Sequence, residues 1–173
     1  MSPLYNYKNQ DTVALAYSEL KRKFSNLDIK FIGAYHHNIN YYNKILKNSL
    51  VSPDQFLGAL NQNQVIKHIY NSDIFLFASS SETFGITLLE AMALGMPIVC
   101  SKRSSLPEIL KDGGIYFDPK NHRELIKKIE LLIKDKNLRK KISYKAFNLS
   151  YKYDWNKNIN NFCEIINKLQ IKK

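Results

Sequence analysis

The sequence predicts an α/β fold, an open parallel sheet with helices on both faces. Three observations carry that expectation. Apolar runs of strand length, "DIKFIG" (28–33), "QFLG" (55–58), "DIFLFA" (73–78), "PIVC" (97–100) and "GIYF" (114–117), alternate with segments of helical periodicity. The joints between them are short, which suits parallel strands linked by helical crossovers. "DIFLFA" is also apolar almost without a break, as a central strand buried on both faces must be.

The elements follow in order. Residues 12–24 read as a helix with Val13, Ala16, Leu20 and Phe24 on one stripe. Strand 28–33 closes on Gly33 and strand 55–58 on Gly58, with helices over 41–48 and 64–71. Strand 73–78 runs into "SSSETFG", and a helix continues to Leu94. Gly95 stands where a left-handed C′ residue belongs, with Pro97 as a stop. Pro107 opens a short helix to Leu110. Asn121 and Glu124 have capping-box spacing, ahead of a helix that turns Leu125, Ile129, Leu132 and Ile133 inward. Helices over 137–149 and 154–171 complete the chain, the last with Trp155, Ile159, Phe162, Ile166 and Leu169 on one face. A strand should precede the first helix, yet only "SPLYN" is available. The first strand is therefore expected to be vestigial or cut away upstream.

Bulk numbers bound the rest. The 173 residues, 45% hydrophobic and 12% aromatic, suit a single domain, 1–173, with a sizeable core. No apolar run reaches the ~18 residues of a membrane span, and "MSPLYNYKNQ" has no apolar signal region. Cys100 and Cys163 have no close spacing, so neither a disulfide framework nor a zinc site is indicated; a cytoplasmic setting fits. Residues 1–119 hold 11 Lys/Arg against 10 Asp/Glu, whereas residues 120–173 hold 15 against 5. The basic C-terminal third reads as a solvated surface or as a face for an anionic membrane. No nucleic-acid-binding module is recognisable, so no nucleic-acid partner is expected.

Open parallel sheets bind ligands at the carboxyl ends of their strands. Strand 73–78 delivers its carboxyl end into "SSSETFGITLLEAMALG", and the helix that starts near Gly85 or Ile86 offers unpaired amides and a positive dipole end. Gly85 would let a phosphate approach the backbone. Glu90, about one turn into the helix, can accept hydroxyls such as those of a ribose. Glu82, on the other side of the phosphate seat, can meet a sugar or a developing positive charge. That spacing fits a nucleotide sugar. The same residues also read as a helix-terminal acid and a solvated helix residue, and their chemistry alone leaves both readings open.

"SSSETFGITLLEAMALGMPIVCS" followed by "SLPEILKDGGIYFDP" resembles the C-terminal domain of GT-B fold, family 4 (group 1) retaining glycosyltransferases. The matching positions are Glu82, Glu90, Ala91, Met92, Gly95, Pro97, Ser101, Pro107 and Glu108. Upstream, "FLGALNQNQVIKHIYNSDIFLFASSSE" and "YKNQDTVALAYSELK" match in order, and "YDWNKNINNF" resembles the family's closing helix. The resemblance implies a Rossmann-like sheet and transfer of a sugar from a UDP- or GDP-sugar to a glycan or lipid-linked acceptor, with retention and without a metal or other cofactor. The absence of an Asp-x-Asp run and of a His cluster agrees. It implies that Lys8 neutralises the donor diphosphate. Gly85, Ile86, Thr87 and Leu88 would hold phosphate oxygens through their backbone. Phe84 and Gly85 would face the sugar, Glu90 would hold the ribose, and Glu82 would assist the transition state. The base would lie near residues 57–59. Such enzymes work in polysaccharide or glycolipid synthesis, some peripherally on the inner face of a membrane.

Three departures qualify this. No Arg precedes Lys8, the first strand is nearly absent, and the N-terminal acceptor domain is missing. They favour a donor-binding half that transfers poorly alone, or alternatively a non-catalytic nucleotide-sugar-binding or partner subunit. His36 and His37 are expected on a surface loop, Glu108 at a helix start, Cys100 in a buried strand, and Trp155 as a helix anchor. The run 138–145, with Arg139, Lys140, Lys141 and Lys145, is expected to be a solvated face.

Overall fold

The computed structural model describes residues 3–154 and residue 159. The elements are α1 (Gln10–Lys23), α2 (Ile39–Asn48), α3 (Gln62–Tyr70), β1 (Phe75–Phe77), α4 (Ile86–Ala93), β2 (Ile98–Ser101), α5 (Leu106–Leu110), β3 (Gly114–Phe117), α6 (His122–Lys134) and α7 (Lys136–Ser150). The three strands form one parallel sheet in the order β1-β2-β3, with Leu76 opposite Val99 and Val99 opposite Ile115.

Alternation along the strands separates two cores. Ile98 and Cys100 of β2 join Val65 and Ile69 of α3, Leu88 and Met92 of α4, and Leu106 and Leu110 of α5. Val99 joins Val13 and Leu20 of α1 with Leu125, Ile129 and Leu132 of α6. The sheet therefore carries helices on both faces. A third cluster, with Tyr17 and Ala14 of α1 against Tyr41 and Ile45 of α2, extends the second face past Phe56.

Local signals set the helix ends. α4 closes in a Schellman motif: Met96 N donates to Ala91 O at 3.0 Å and Gly95 N to Met92 O at 2.9 Å, with Gly95 at φ 64°. α6 opens on Asn121, whose side chain accepts from Glu124 N at 3.0 Å. Only half of the expected capping box forms, because the Glu124 carboxylate accepts instead from Asp118 N at 2.9 Å, tying the helix to the end of β3. Arg139 donates to the carbonyls of Leu132 and Ile133 at 2.6 and 3.1 Å and caps the end of α6.

Two expected strands need correction. Segments 28–33 and 55–58 meet only at the isolated parallel bridge of Phe31 with Phe56. Phe31 N donates to Gln55 O at 2.7 Å, Leu57 N to Phe31 O at 2.9 Å and Gly33 N to Gly58 O at 2.9 Å. The stacked rings of Phe31 and Phe56 hold the pair together. Among the described residues neither segment hydrogen-bonds to β1, so the ladder stops there and the sheet described has three strands and not five. The expected helix over 154–171, with Trp155 and the matching "YDWNKNINNF" run, lies outside the described residues apart from its first residue, Asp154, and an exposed Ile159. Cys163 also lies outside them.

Candidate functional site

The site is built where the carboxyl end of β1 meets the amino end of α1. Residues Asn6–Lys8 form a single 3-10 turn ahead of α1. Asn9 then adopts the left-handed conformation, φ 53°, which Asn tolerates better than most residues. The residue is 1% exposed, and its side-chain amide nitrogen reaches Ala78 O at 2.8 Å, Ser80 Oγ at 2.6 Å and Tyr7 O at 2.9 Å. Ser80 N donates to Tyr7 O at 2.7 Å. Asn9 thus fastens the Lys8 turn to the end of β1.

That fastening sets Lys8 beside Glu82. The ammonium donates to Glu82 Oε1 in an ion pair whose side chains are 14% and 15% exposed. The same ammonium lies 5.2 Å from the Tyr7 ring centroid and 5.9 Å from that of Phe77. Glu82 is held from its other side. Its N–H donates to Ser104 Oγ at 3.1 Å, and the hydroxyls of Ser104 and Ser105 donate to its carbonyl. Loops after β1 and β2 therefore hold the Glu82 backbone together. Burial pushes the thiol of neighbouring Cys100 up, and the Glu82 charge adds to the shift. Cys100 is a buried residue of β2, as expected.

Gly85 caps the amino end of α4 at φ 73°. A Cβ there would meet Leu106 Cδ2 at 3.2 Å, Leu88 Cβ at 3.6 Å and Phe77 Cε1 at 3.8 Å. The glycine is needed for the turn and for packing toward the core, not for clearance on the ligand side. Among the described residues no acceptor pairs with the amides of Ile86 and Thr87, which are open to a ligand. Leu88 departs from expectation. Its amide already donates to Gly85 O at 2.8 Å and its side chain is fully buried, so it is not free to hold a phosphate.

Glu90 sits on α4 one turn from that end, and its carboxylate accepts from Gln62 Nε2 at 2.5 Å, at the start of α3. Phe84 is 42% exposed and meets Tyr153 edge-on at 5.9 Å. Residues 57–59 stand beside Gly33, at the far side of the same carboxyl-end face. His36 and His37 lie exposed in a 3-10 turn, and Glu108 is exposed in the first turn of α5. In the basic run, Lys145 pairs with Asp112 at 2.6 Å and Arg139 serves as a cap. Among the described residues no three His, Cys, Asp or Glu side chains gather to hold a metal, and no helix is long and apolar enough to cross a membrane.

Sequence reasoning missed Asn9, Ser104, Ser105 and Gln62. The available signal for Asn9 was its place between a Lys and a helix start, where a residue that accepts left-handed φ ends one element and caps the next.

Fold and site define an open α/β domain whose ligand face lies at the carboxyl ends of its strands, with a cation, two carboxylates and a helix amino end together. The family model described as "Glycosyl transferases group 1" matches residues 1–149, and the chain belongs to that family. It is 31% identical over 108 residues to a sulfoquinovosyl transferase of Arabidopsis thaliana, covering 60% of this chain and 21% of that protein. An uncharacterized glycosyltransferase of Methanocaldococcus jannaschii is 26% identical over 170 residues, covering 96% of this chain and 43% of that protein. The chain thus spans less than half the length of these relatives. The C-terminal domain of a glycosyl transferase group 1 family protein from Francisella tularensis superposes with a TM-score of 0.73 at 22% identity, over 90% of this chain and 84% of that one. The Anabaena protein HepE, in complex with UDP-glucose, gives 0.83 at 21% identity, over 97% of this chain and 47% of that one. These likenesses establish the fold as that of a GT-B glycosyltransferase domain.

Proposed function

We propose that the chain is the donor-binding half of a retaining glycosyltransferase, taking a sugar from a UDP- or GDP-sugar to a glycan or lipid-linked acceptor. The observation that carries this is the meeting of Lys8 and Glu82, 74 positions apart in sequence, at the amino end of α4. The amides of Ile86 and Thr87 and the Lys8 ammonium receive the diphosphate, where negative charge builds as the leaving group departs. Fixed donors aimed at that charge lower the barrier. The diphosphate takes the place of Glu82 on Lys8. The released carboxylate then faces the sugar ring and favours its oxocarbenium character, by analogy with hydrolases. Glu90, oriented by Gln62, accepts the ribose hydroxyls, and Phe84 packs on the sugar. The reading needs no metal. It draws support from the UDP-glucose bound by HepE. It also follows the family.

Calorimetry with UDP and GDP, in the presence of a chelator, tests it. Lys8→Ala and Glu90→Ala are each expected to weaken binding about tenfold or more, the value of a charge-assisted hydrogen bond. A folded domain that binds neither nucleotide would remove the reading. Transfer with and without a supplied acceptor domain separates a donor half from a non-catalytic binding subunit.

A further inference from the structure

Gln62 is the first residue of α3, and the amino end of that helix is capped without it. Asn61 accepts from Gln64 N at 2.9 Å, and Gln64 Oε1 accepts from Asn61 N at 3.0 Å. The Gln62 side chain instead donates from Nε2 to Glu90 Oε1 at 2.5 Å. Both ends of that bond stand on packed elements. Val65 and Ile69 of α3 share one core with Leu88 and Met92 of α4. That core, more than one exposed hydrogen bond, holds the two helices at this spacing. The fold therefore gives little reason for an amide at position 62.

The amide has a second, unused half. A carboxylate only accepts, so the amide nitrogen must face Glu90 and the carbonyl oxygen is turned away from it. Among the described residues no group donates to Gln62 Oε1 or to Glu90 Oε2. The pair thus offers two free acceptors, one neutral and one anionic, joined by a single N–H. Lys or Arg at position 62 could also hold Glu90, but neither carries an acceptor. Two acceptors side by side suit two neighbouring hydroxyls. With Glu90 Oε1 engaged by Gln62, one carboxylate oxygen remains free for a ribose diol, and the carbonyl of Gln62 makes up the second acceptor.

Chain order tells which hydroxyl each acceptor meets. Gln62 follows residues 57–59, the expected seat of the base, by three positions. Glu90 follows Ile86, whose open amide faces the diphosphate, by four positions along α4. In ribose the 2′-hydroxyl stands on the carbon next to the base, and the 3′-hydroxyl one carbon further toward the 5′-phosphate.

We infer that Gln62 is a specificity residue of the nucleotide seat. Its free Oε1 accepts the ribose 2′-hydroxyl while Glu90 Oε2 accepts the 3′-hydroxyl, so the chain selects ribonucleoside diphosphates over their 2′-deoxy counterparts. The inference rests on the nucleotide-sugar reading and adds to it the group that reads the 2′ position.

Calorimetry on the full chain tests it, with whichever of UDP and GDP binds more tightly and with the 2′-deoxy and 3′-deoxy analogues of that nucleotide. The wild-type chain should bind the 2′-deoxy analogue at least about fivefold more weakly, the worth of one net hydrogen bond. Gln62→Leu should reduce that preference to about twofold or less and leave the 3′ preference in place. Gln62→Lys, which returns a donor to Glu90 and brings no acceptor, should do the same. Gln62 is exposed, so both variants should fold. Were Gln62 only to orient Glu90, the leucine variant would lower both preferences together and the lysine variant would restore both. That result would overturn the inference, as would a 2′ preference unchanged in both variants or a loss at the 3′ position instead. A wild-type chain that binds nucleotide with no 2′ preference would also overturn it and leave the nucleotide seat standing. A chain that binds neither UDP nor GDP would remove the seat, and this inference with it.

Discussion

Asn9 touches no proposed ligand, yet the architecture makes it the pin of the site. Two substitutions separate its roles. Asn9→Gly keeps access to φ 53° and removes the side-chain amide, leaving the carbonyls of Ala78 and Tyr7 without that donor. Net hydrogen bonds are worth about 1 kcal/mol each and an unsatisfied buried acceptor costs about 1–3, so the loss should be roughly 1–3 kcal/mol. Asn9→Ala loses the same bonds and must also place a Cβ-bearing residue in left-handed backbone, adding about 1–2 kcal/mol. Urea unfolding reads both. With a slope of about 2 kcal/mol per molar, the midpoint should fall by roughly 0.5–1.5 M for the glycine variant and further for the alanine variant. Nucleotide affinity should fall in both, because Lys8 loses its anchor to Ala78 and Ser80. A glycine variant that unfolds with the wild-type midpoint would show that the amide bonds do not hold the turn. Equal midpoints for glycine and alanine would show that the left-handed backbone is not adopted.

Two further outcomes follow from the same geometry. Gly85→Ala must place a Cβ at φ 73° and 3.2 Å from Leu106 Cδ2, so it should lose about 1–2 kcal/mol, or about 2–8 °C in Tm. Gly95→Ala, whose Cβ would meet nothing closer than 3.7 Å, carries only the backbone cost; calorimetric scans ranking it as the worse of the two would contradict the packing around Gly85. On the acid side, the Lys120 amide and then Arg103 hold the Asp118 carboxyl below its ordinary value, and the Lys23 ammonium does the same for Glu130. Groups with lowered folded values contribute stability above the unfolded value and lose it as pH falls through the folded one. Tm should therefore stay level from pH 7 to about 5 and decline below about pH 4, with a shallower decline in Asp118→Asn; a Tm independent of pH down to 3 would exclude these pairings.

What could be read in the sequence divides along physical lines. Features set by nearby residues were legible: the Gly95 stop, the Asn121 cap, the amino end of α4 after β1, and the inward stripe of α1. Features set by distant partners were not. The role of Asn9 depends on a carbonyl 69 positions away, and the clamp on Glu82 depends on hydroxyls 22 and 23 positions on. Lys8 was legible only through a family resemblance, because nothing local says which carboxylate an isolated Lys will face. The strands show the same division more sharply. Composition reports which segments are fit to be strands, but a ladder exists only where a neighbour supplies the complementary edge. Segment 28–33 has strand composition, and Phe31 finds Phe56 on one side, yet the other side has no partner. β1 is composed for the middle of a sheet and stands at its edge. Both outer segments are strands in composition, yet they bridge each other through Phe31 and Phe56 and join no ladder of the three-stranded sheet.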